Sequence, residues 1–490
     1  MVTSEYGSLA KAGGLADALA SLSGALQRHR LDVRVLMPRY GFIPKEDLER
    51  LPDPLGIPLG FREEWTAVYR RPGAVPVYLL EHDGAFGRPG IYNQGNVDYP
   101  DNARRFSILS YAAFQLPRYL GWIPDIIHAH DWPTALVPGY LRSREAEGEF
   151  AGTRSVFTIH NIGYQGIFPS EDFAHSGIPI EDYVELGYAH RGRYNMLHGA
   201  LATADLLTTV SPRYARELQD PAFAFDMHEL LQRRREDLHG VLNGIDLEEW
   251  DPESDPALPR PFSAAELTGK EEAKAALQRR YGLPERPEAA LVGMIGRLAE
   301  QKGIAHLFGH PAAGDGGAVT AGGAVEQLLR EEDVQFVLLG SGDPRYEARI
   351  RRLAADYPSF AARLGYDDEL AHLIEGGADF FLMPSEYEPC GLNQMYSMRY
   401  GTLPIVATTG GLMDTVRDES EGMKATGFQM GRPSAESIAA ALRRALTLYR
   451  EQPQRVAQMR MLAMRENFGC DRSAARYVEL YDELTKRSRT

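Results

Sequence analysis

The 490 residues are 44% hydrophobic and 25% charged, which is the composition of an ordinary globular protein. A formal net charge of −15 argues against nucleic acid as the main partner, because a phosphate backbone requires clustered lysine and arginine side chains. No apolar run approaches the roughly 20 residues that cross a bilayer, and the two cysteines cannot build a disulfide framework, so we expect a cytoplasmic protein that is not bound to a membrane.

Short apolar segments of β type alternate with helical patterns along the chain. The first helical pattern covers residues 15–26, where leucines recur at spacings of three and four and form one apolar stripe. The strand candidates are residues 32–37, 75–80, 125–129, 155–160 and 206–210 in the first half, and residues 291–295, 336–339, 380–383 and 404–407 in the second. Near-continuous apolar strands are buried on both faces, so this alternation predicts doubly wound α/β domains with parallel sheets.

The length predicts two such domains, because it exceeds what one hydrophobic core usually supports. Residues 250–262, WDPESDPALPRPF, are rich in proline and acidic residues and show no period, so we expect the joint there. The predicted domains are residues 1–250 and residues 251–465, followed by a helical segment, residues 466–490, that can pack back on the first domain. Residues 309–324 are rich in glycine and alanine and predict a surface loop.

The first motif, Lys11-Ala12-Gly13-Gly14, lies between a short β-type segment and the first helix. Glycine lets a ligand approach the backbone, the start of a helix favours an anion, and Lys11 adds a full positive charge. The loop is therefore a candidate site for phosphate. A glycine turn beside a solvated lysine is the alternative interpretation.

Two polar motifs follow strands in the first half, HAHDW at residues 128–132 and HNIGYQG at residues 160–166. His128 and His130 would point to the same face of a strand, but a zinc site needs further ligands and the sequence places none nearby. Aspartate, asparagine, histidine and tryptophan together can bind sugar hydroxyls and stack on a pyranose ring. We therefore expect a sugar site here and no metal ion.

A basic motif follows the first strand of the second half, GRLAEQKG at residues 296–303. Arg297 and Lys302 can neutralise the charge that develops on a leaving diphosphate, and no Asp-x-Asp pair is present to hold a divalent metal on a nucleotide. A surface ion pair is the alternative interpretation. A further glycine turn, TGGL at residues 409–412, is weak evidence on its own.

An acidic motif follows a later strand, SEYEPCGL at residues 385–392. Pro389 and Gly391 shape a turn into a helix, so backbone amides point at a ligand while the Glu388 carboxylate can accept sugar hydroxyls. A nucleophilic Cys390 would need a histidine partner, and none adjoins it in the sequence.

These motifs resemble, in order, those of bacterial glycogen synthases and plant starch synthases. The matching segments are KAGGLAD (11–17), HAHDW (128–132), HNIGYQG (160–166), TVSPRYARE (209–217), VLNGID (241–246), GRLAEQKG (296–303), SEYEPCGLNQ (385–394), YGTLPIV (400–406) and TGGLMDTV (409–416). Each segment is weak evidence alone, whereas all of them in the family's order are specific. The resemblance covers nearly the whole chain.

The resemblance implies the GT-B fold, in which two Rossmann-like doubly wound domains face a cleft. It also implies transfer of glucose from ADP-glucose to the non-reducing 4-hydroxyl of an α-1,4-glucan such as glycogen. Configuration at the anomeric carbon would be retained, without a metal ion or another cofactor. UDP-glucose is the alternative donor.

The resemblance further implies a role for each matching residue. The catalytic set would be His160, through its backbone carbonyl, with Arg297, Lys302 and Glu388. The donor would be bound by Lys11, Gly13, Gly14, Asn243, Tyr366, Cys390, Gly391 and Leu392. Tyr366 would stack on the adenine, and Asp131 and Asn161 would line the sugar and acceptor side.

Three features depart from related sequences. Pro133 stands where a histidine is common, and Tyr396 stands where many related transferases outside this family carry a second glutamate. The family also has four or five more apolar residues ahead of Val2, which form its first strand. We therefore expect the native chain to begin upstream of Met1.

Two other functions remain possible at this stage. Another GT-B glucosyltransferase, sucrose synthase-like or trehalose-forming, would keep the phosphate-binding residues and change the acceptor, but the HNIGYQG and EPCGLNQ segments argue against it. A non-catalytic glucan-binding relative would have lost the motif cations or Glu388, and all of these are present.

Overall fold

The computed structural model describes residues 1–95, 97–310 and 322–486. The chain divides into two compact units, Met1–Gly244 with Gly469–Thr490, and Ile245–Phe468. Most of the expected surface loop, residues 311–321, lies outside the described residues. Among the helices that are described, none is both long and apolar enough to cross a membrane.

The first unit is an α/β unit. Its strands are β1 (Val35–Pro38), β2 (Glu49–Arg50), β3 (Leu55–Leu59), β4 (Arg62–Arg71), β5 (Val77–Glu81), β6 (Asn93–Gln94), β7 (Val97–Asp98), β8 (Ile126–His130), β9 (Arg154–Ile159), β10 (Ile167–Phe168), β11 (Ala189–His190), β12 (Arg193–Asn195), β13 (Leu206–Thr209) and β14 (Leu238–Gly240). Its helices before residue 245 are α1 (Gly14–Arg28), α2 (Asp83–Phe86), α3 (Asn102–Leu120), α4 (Leu136–Ser143), α5 (Asp182–Glu185), α6 (Met196–Thr203), α7 (Pro212–Glu217) and α8 (His228–Arg233).

Val2 connects the two halves of the main sheet of this unit. One half has the order β2-β4-β5-β1 and the other β8-β9-β13-β14, and Val2 pairs in parallel with Leu36 of β1 and Ala129 of β8. Its N–H donates to the His128 carbonyl at 2.8 Å, and the His130 N–H donates to the Val2 carbonyl at 3.2 Å. With Val2 counted as the first strand, the parallel strands from β5 to β14 follow the order 3-2-1-4-5-6-7.

The second unit contains a six-stranded parallel sheet in the order β17-β16-β15-β18-β19-β20. These strands are β15 (Ala290–Ile295), β16 (Val334–Gly340), β17 (Phe360–Leu364), β18 (Phe380–Met383), β19 (Leu403–Val406) and β20 (Phe428–Gln429). The helices are α9 (Thr268–Tyr281), α10 (Ile304–Phe308), α11 (Ala324–Glu331), α12 (Pro344–Asp356), α13 (Asp368–Gly377), α14 (Asn393–Arg399), α15 (Gly410–Thr415), α16 (Ala435–Glu451) and α17 (Pro453–Met464). In chain order the sheet is 3-2-1-4-5-6, the Rossmann order.

The apolar strands of the sequence form the centres of both sheets. All residues of β1, β16, β18 and β19 are buried, as expected for parallel strands with helices on both faces. The prediction of doubly wound α/β domains is therefore confirmed.

The last helix, α18 (Cys470–Lys486), belongs to the first unit. Its buried face packs with Leu22 and Leu26 of α1 in one hydrophobic cluster. The Tyr481 hydroxyl lies 2.7 Å from Nδ1 of His128, and the Ser473 hydroxyl donates to the Leu242 carbonyl at 2.5 Å. The chain thus leaves the first unit, forms the second and returns to the first.

Candidate active site

The predicted site residues follow the strands at which the order of each sheet reverses. In open parallel sheets a ligand binds beyond the carboxyl ends of the strands at this position. In the first unit the position lies between Val2 and β8, and the segments that follow carry Lys11 and Asp131. In the second unit it lies between β15 and β18, and the loops that follow carry Arg297 and Glu388.

Glu5 fixes the Lys11 loop from inside the protein. Its buried carboxylate accepts hydrogen bonds from the backbone N–H of Ala12 at 2.6 Å and of Gly13 at 3.0 Å, and from the Tyr92 hydroxyl at 2.6 Å. Burial raises the pKa of Glu5. The carboxylate thus holds the two residues that precede α1, which begins at Gly14 without a side-chain cap. Glu5 could not be identified from the sequence, since a single glutamate after a short apolar segment forms no pattern.

The outer side of this loop is open. Lys11 is exposed, and its Nζ lies 2.8 Å from Oδ2 of Asp17. A Cβ atom at Gly13 would meet no atom within 4 Å, and its φ of −161° is ordinary extended backbone, so the fold itself does not require glycine there. Because Glu5 occupies the two preceding amides, an anion bound here would contact Lys11 and the amide of Gly14, the first residue of α1.

Asp131 follows β8 in a strained backbone conformation. Its φ of 58° and ψ of 177° lie in a region visited readily only by glycine, at a cost of about 1–3 kcal/mol for other residues. Its Oδ1 accepts hydrogen bonds from the backbone N–H of His160 at 2.7 Å and of Asn161 at 3.3 Å. Burial raises the pKa of Asp131 to about 7. Asp131 therefore fixes the loop after β9 and brings these three predicted residues together.

Three histidine rings lie in series beneath this loop. Nε2 of His160 is 3.1 Å from Nδ1 of His130, and burial lowers the pKa of His160 to about 3. Both nitrogens of His128 have partners, the hydroxyl of Tyr481 at 2.7 Å and that of Thr158 at 2.6 Å. Within the described part of the chain, no group of three or more histidine, cysteine, aspartate or glutamate residues is arranged to hold a metal ion.

The remaining polar and aromatic residues of the first unit are held in different ways. Trp132 packs edge-on against Phe106 at a centroid distance of 4.8 Å. The Oδ1 atom of Asn161 accepts the N–H of Gly163 at 3.0 Å and shapes its own loop. Asn243 follows β14 at the edge of the sheet, and its side chain forms no hydrogen bond with any described residue.

In the second unit, hydrogen bonds join the loops after β15 and β18. The Glu386 N–H donates to the Gln301 carbonyl at 2.9 Å, and Nε2 of Gln301 donates to the Tyr387 carbonyl at 3.3 Å. Gly303 has a φ of 68°, and a Cβ atom there would lie 2.0 Å from the Pro384 carbonyl oxygen. Glycine therefore allows the close approach of the two loops.

This approach pairs Lys302 with Glu388. Nζ of Lys302 lies 2.5 Å from Oε2 of Glu388, and the Ser385 hydroxyl donates to the same oxygen at 2.9 Å. Glu388 is 6% exposed, so the cation offsets the cost of burying its charge.

The TGGL turn supports the Glu388 loop from behind. The Gly411 N–H donates to the Glu388 carbonyl at 3.2 Å, and a Cβ atom at Gly411 would lie 2.2 Å from the Cys390 carbonyl oxygen. The same addition at Gly410 would place Cβ 1.9 Å from the Glu388 carbonyl oxygen. This turn was weak evidence in the sequence, because its contact partner lies on the far side of α14 and β19 along the chain.

The other predicted donor residues of the second unit lie at loop ends. Gly391 has a φ of 71°, and Leu392 precedes α14. Arg297 is exposed directly after β15. Tyr366 follows β17, two strands away from β15, is 76% exposed and donates its hydroxyl to Asp368 at 2.8 Å.

Tyr396 is part of an aromatic stack rather than a ligand-facing group. Its ring lies 3.8 Å from that of Trp250 at an interplanar angle of 12°, and Trp250 stacks in turn on His372 at 3.9 Å. Tyr396 is 5% exposed. A glutamate at this position would place a charge inside the stack, which accounts for the departure from related transferases.

The chain matches models of two protein families. Residues 1–233 match the model described as starch synthase catalytic domain, and residues 278–459 match the model described as glycosyl transferases group 1. The two matches fall in the first and second unit, respectively.

Curated relatives match over the whole chain. A protein from Treponema denticola named glycogen synthase is 43% identical over 494 residues, covering 100% of this chain and 99% of its own length. A glycogen synthase from an Anaeromyxobacter species is 46% identical over 486 residues, covering 99% and 98%. Glycogen synthase 1 of Geobacter sulfurreducens is 41% identical over 490 residues, covering 98% and 95%.

Solved structures match as well. The catalytic domain of starch synthase IV from Arabidopsis thaliana, bound to ADP and acarbose, is 30% identical, has a TM-score of 0.88, and covers 99% of this chain and 98% of that one. A sucrose-phosphate synthase from Thermosynechococcus elongatus shares the fold at a TM-score of 0.57 and 18% identity, covering 100% and 96%.

Proposed function

The chain belongs to the glycogen and starch synthase family of glycosyltransferases, and we propose that it transfers glucose from ADP-glucose to the non-reducing 4-hydroxyl of an α-1,4-glucan with retention. The expectations of two Rossmann-like domains of GT-B type and of glycosyltransferase activity are confirmed by the family models and the starch synthase fold. The proposal depends chiefly on full-length similarity to several glycogen synthases.

The donor diphosphate is proposed to bind the motif cations. Lys11 in the first unit, and Arg297 and Lys302 in the second, are positive groups in a chain of net charge −15. In such a repulsive field, an anionic substrate needs cations placed at its phosphates. The same cations would stabilise the charge that develops on ADP as the glycosidic bond breaks. Tyr366 would stack on the adenine.

The sugar is proposed to lie against the carboxylate loops. Glu388 would accept hydroxyl groups of the glucose, and the amides around Gly391 would face donor oxygens. Asn243 would contact the same sugar. Asp131 would act on the substrate indirectly, because its carboxylate holds the His160 peptide whose carbonyl oxygen is proposed to face the reacting carbon.

Retention is proposed to follow same-face attack. The two carboxylates assigned to the sugar already have partners within the protein, since Asp131 accepts two backbone N–H groups and Glu388 pairs with Lys302. The acceptor hydroxyl would then approach the anomeric carbon on the side that the diphosphate leaves. In this proposal the departing phosphate takes the proton of the acceptor hydroxyl.

The proposal is tested by incubating the protein with ADP-glucose or UDP-glucose and with glycogen, maltooligosaccharides or fructose, while released nucleotide is measured. We expect ADP release that requires glucan and extends it by α-1,4 linkages. Release with fructose alone would indicate a sucrose synthase-like enzyme. Glucan binding without nucleotide release would indicate a non-catalytic relative.

Lys302→Ala tests the role of the paired cation. Loss of one charge that stabilises the transition state is expected to lower kcat by about two to three orders of magnitude. Glycogen binding, measured by affinity electrophoresis, is expected to stay within about twofold, since Lys302 is assigned to the donor. Lys302→Arg is the charge-preserving control. Weaker glucan binding at unchanged kcat would contradict the assignment.

A cytoplasmic location is part of the proposal. Cys390 and Cys470 are both buried and form no disulfide, as suits a reducing compartment.

A further inference from the structure

His130 is a buried side chain for which the proposed mechanism has no role. It is 0% exposed on β8, and its ring packs on His128 at a centroid distance of 4.0 Å. Its Nδ1 lies 3.1 Å from Nε2 of His160, the residue whose carbonyl is assigned to the reacting carbon. This contact determines which nitrogen of His160 carries the proton.

A hydrogen bond between two imidazole rings needs one N–H and one lone pair. Burial lowers the pKa of both rings, to about 3 for His160, so both are neutral at neutral pH. Each ring then carries a single proton. Either His130 donates from Nδ1 to His160, or His160 donates from Nε2 to His130.

The other nitrogen of His130 distinguishes the two arrangements. Nε2 of His130 is buried and has no hydrogen-bond partner among the described residues. If His160 were the donor, the only proton of His130 would lie on this Nε2, as a buried N–H without an acceptor. Native structures avoid such orphan N–H groups more strongly than unsatisfied acceptors.

The ring of His128 cannot serve as the missing hydrogen-bond partner for Nε2 of His130. His128 is the ring packed on His130, and both of its nitrogens already have partners in Tyr481 and Thr158. If His130 donates from Nδ1, its Nε2 carries only a lone pair, and no buried N–H is left without an acceptor. The described contacts therefore favour His130 as the donor.

We propose that His130 is a positioning residue, which donates its Nδ1–H to Nε2 of His160 and thereby keeps the proton of His160 on Nδ1. The next residue, Asp131, accepts the backbone N–H of His160. Two consecutive residues at the end of β8 thus fix the ring and the peptide of the same histidine. The Nδ1–H of His160 is then a donor for a hydroxyl group of the glucose, a step that rests on the proposed function.

The tautomer can be measured without an activity assay. The protein is labelled with ¹⁵N-histidine, the ring signals are read from long-range ¹H–¹⁵N correlation spectra, and those of His160 are identified by their absence in His160→Gln. We expect a neutral His160 with Nδ1 protonated at neutral pH. A His160 ring protonated on Nε2, or on both nitrogens, would overturn the proposal, whatever reaction the protein catalyses.

A matched pair of variants tests the consequence for the rate. His130→Asn retains an N–H near the position of Nδ1, whereas His130→Leu keeps a similar volume without a donor. In His130→Leu, the proton of His160 should no longer be confined to Nδ1. We expect kcat to fall roughly tenfold or more, with little change in KM for ADP-glucose. His130→Asn should keep most of the Nδ1 tautomer of His160 and most of the kcat of the unaltered protein.

Two results with these variants would contradict the positioning role. One is an equal loss of kcat in His130→Asn and His130→Leu. The other is a kcat unchanged in His130→Leu although the tautomer of His160 has changed. If neither variant folds, the spectrum of the unaltered protein still decides the tautomer.

Discussion

At the scale of single residues, Asp131 combines a strained backbone with a partly buried carboxyl group. The positive φ is maintained because the side chain in this position reaches two amides of the neighbouring loop. A sequence motif identifies this aspartate as interesting but does not show whether it contacts the sugar or the protein. The structure places it against the protein, as a support for His160.

The raised pKa of Asp131 predicts a pH dependence. With a pKa of about 7, the carboxyl group takes up a proton as the pH falls through neutrality and becomes a weaker acceptor for the two amides. We expect kcat/KM to fall as the pH drops below about 7. In Asp131→Asn, kcat/KM should be lower overall and should not fall in this way at acidic pH. The profile is measured at saturating glycogen.

The raised pKa of Asp131 also determines how its contribution to stability changes with pH. A pKa raised by folding means that the contribution of Asp131 to stability is present at acidic pH and is lost as the pH rises through about 7. The melting temperature of Asp131→Asn relative to the unaltered protein should therefore increase with pH. A difference that is constant from acidic to alkaline pH would contradict the raised pKa.

At Gly13 the fold tolerates a side chain, whereas the proposed donor site does not. A side chain there would meet nothing within 4 Å, so Gly13→Ala should leave the melting temperature unchanged and raise KM for ADP-glucose by about tenfold. Gly152 is the matched control in the same unit, because a Cβ atom there also meets nothing within 4 Å. Gly152→Ala should change neither quantity. Equal KM values in the two variants would remove Gly13 from the donor site.

The site was predictable from sequence only where residues form a motif. Lys302 and Glu388 could be named because each lies in a recognisable loop after an apolar strand. Their 2.5 Å contact could not, since it depends on two loops far apart in the chain. Glu5 and His130 were assigned no function for the same reason, because their partners are backbone amides and a ring that only the folded sheet brings close.

At the scale of elements, the buried parallel strands were predictable, whereas the antiparallel strand β4 was not. The strand β16, VQFVLLG, is a continuous apolar run that is buried at every position. In contrast, β4, REEWTAVYRR, is charged at both ends and becomes a strand because β3 and β5 supply its hydrogen-bond partners. Tertiary pairing thus decides the antiparallel part of the sheet, whereas hydrophobicity decides its buried parallel strands.

The glycine between the β15 loop and α10 tests how the two loops of the second unit are held. Gly303 has a φ of 68° and would place a Cβ atom 2.0 Å from the Pro384 carbonyl oxygen, so Gly303→Ala adds a clash to the backbone strain. Gly282 has a φ of 69° and open space, so Gly282→Ala adds strain alone. We expect the control to cost about 1 kcal/mol and Gly303→Ala clearly more, by urea unfolding.

Activity separates the two variants further. Displacement of the β15 loop moves Lys302, the residue before Gly303, away from Glu388, so kcat of Gly303→Ala should fall by about two orders of magnitude. The Gly282 control should keep its kcat, because it ends α9 rather than a site loop. If both variants lose equal stability and neither loses activity, the loop contact is not what positions the cation.

At the scale of the whole molecule, the chain returns to its first unit through α18. The sequence predicts this helix from its apolar stripe, but the surface that the stripe covers is formed by residues more than 200 positions earlier. In the structure Tyr477, Leu480 and Tyr481 belong to one cluster with Leu22 and Leu26 of α1, and Val156, Leu206 and Val241 complete this cluster. The first unit therefore completes its core only when the end of the chain is in place.

Leu480→Ala tests this completion of the core. Leu480 is 1% exposed in the α1–α18 cluster, so its truncation should lower the free energy of unfolding by about 2–5 kcal/mol. Arg472→Ala, at an exposed position of the same helix, should cost less than about 0.5 kcal/mol. Tryptophan fluorescence reports mainly the unfolding of the first unit. Three of the four tryptophans, Trp65, Trp122 and Trp132, lie in that unit. If α18 merely rested on the surface, the two variants would unfold at the same urea concentration.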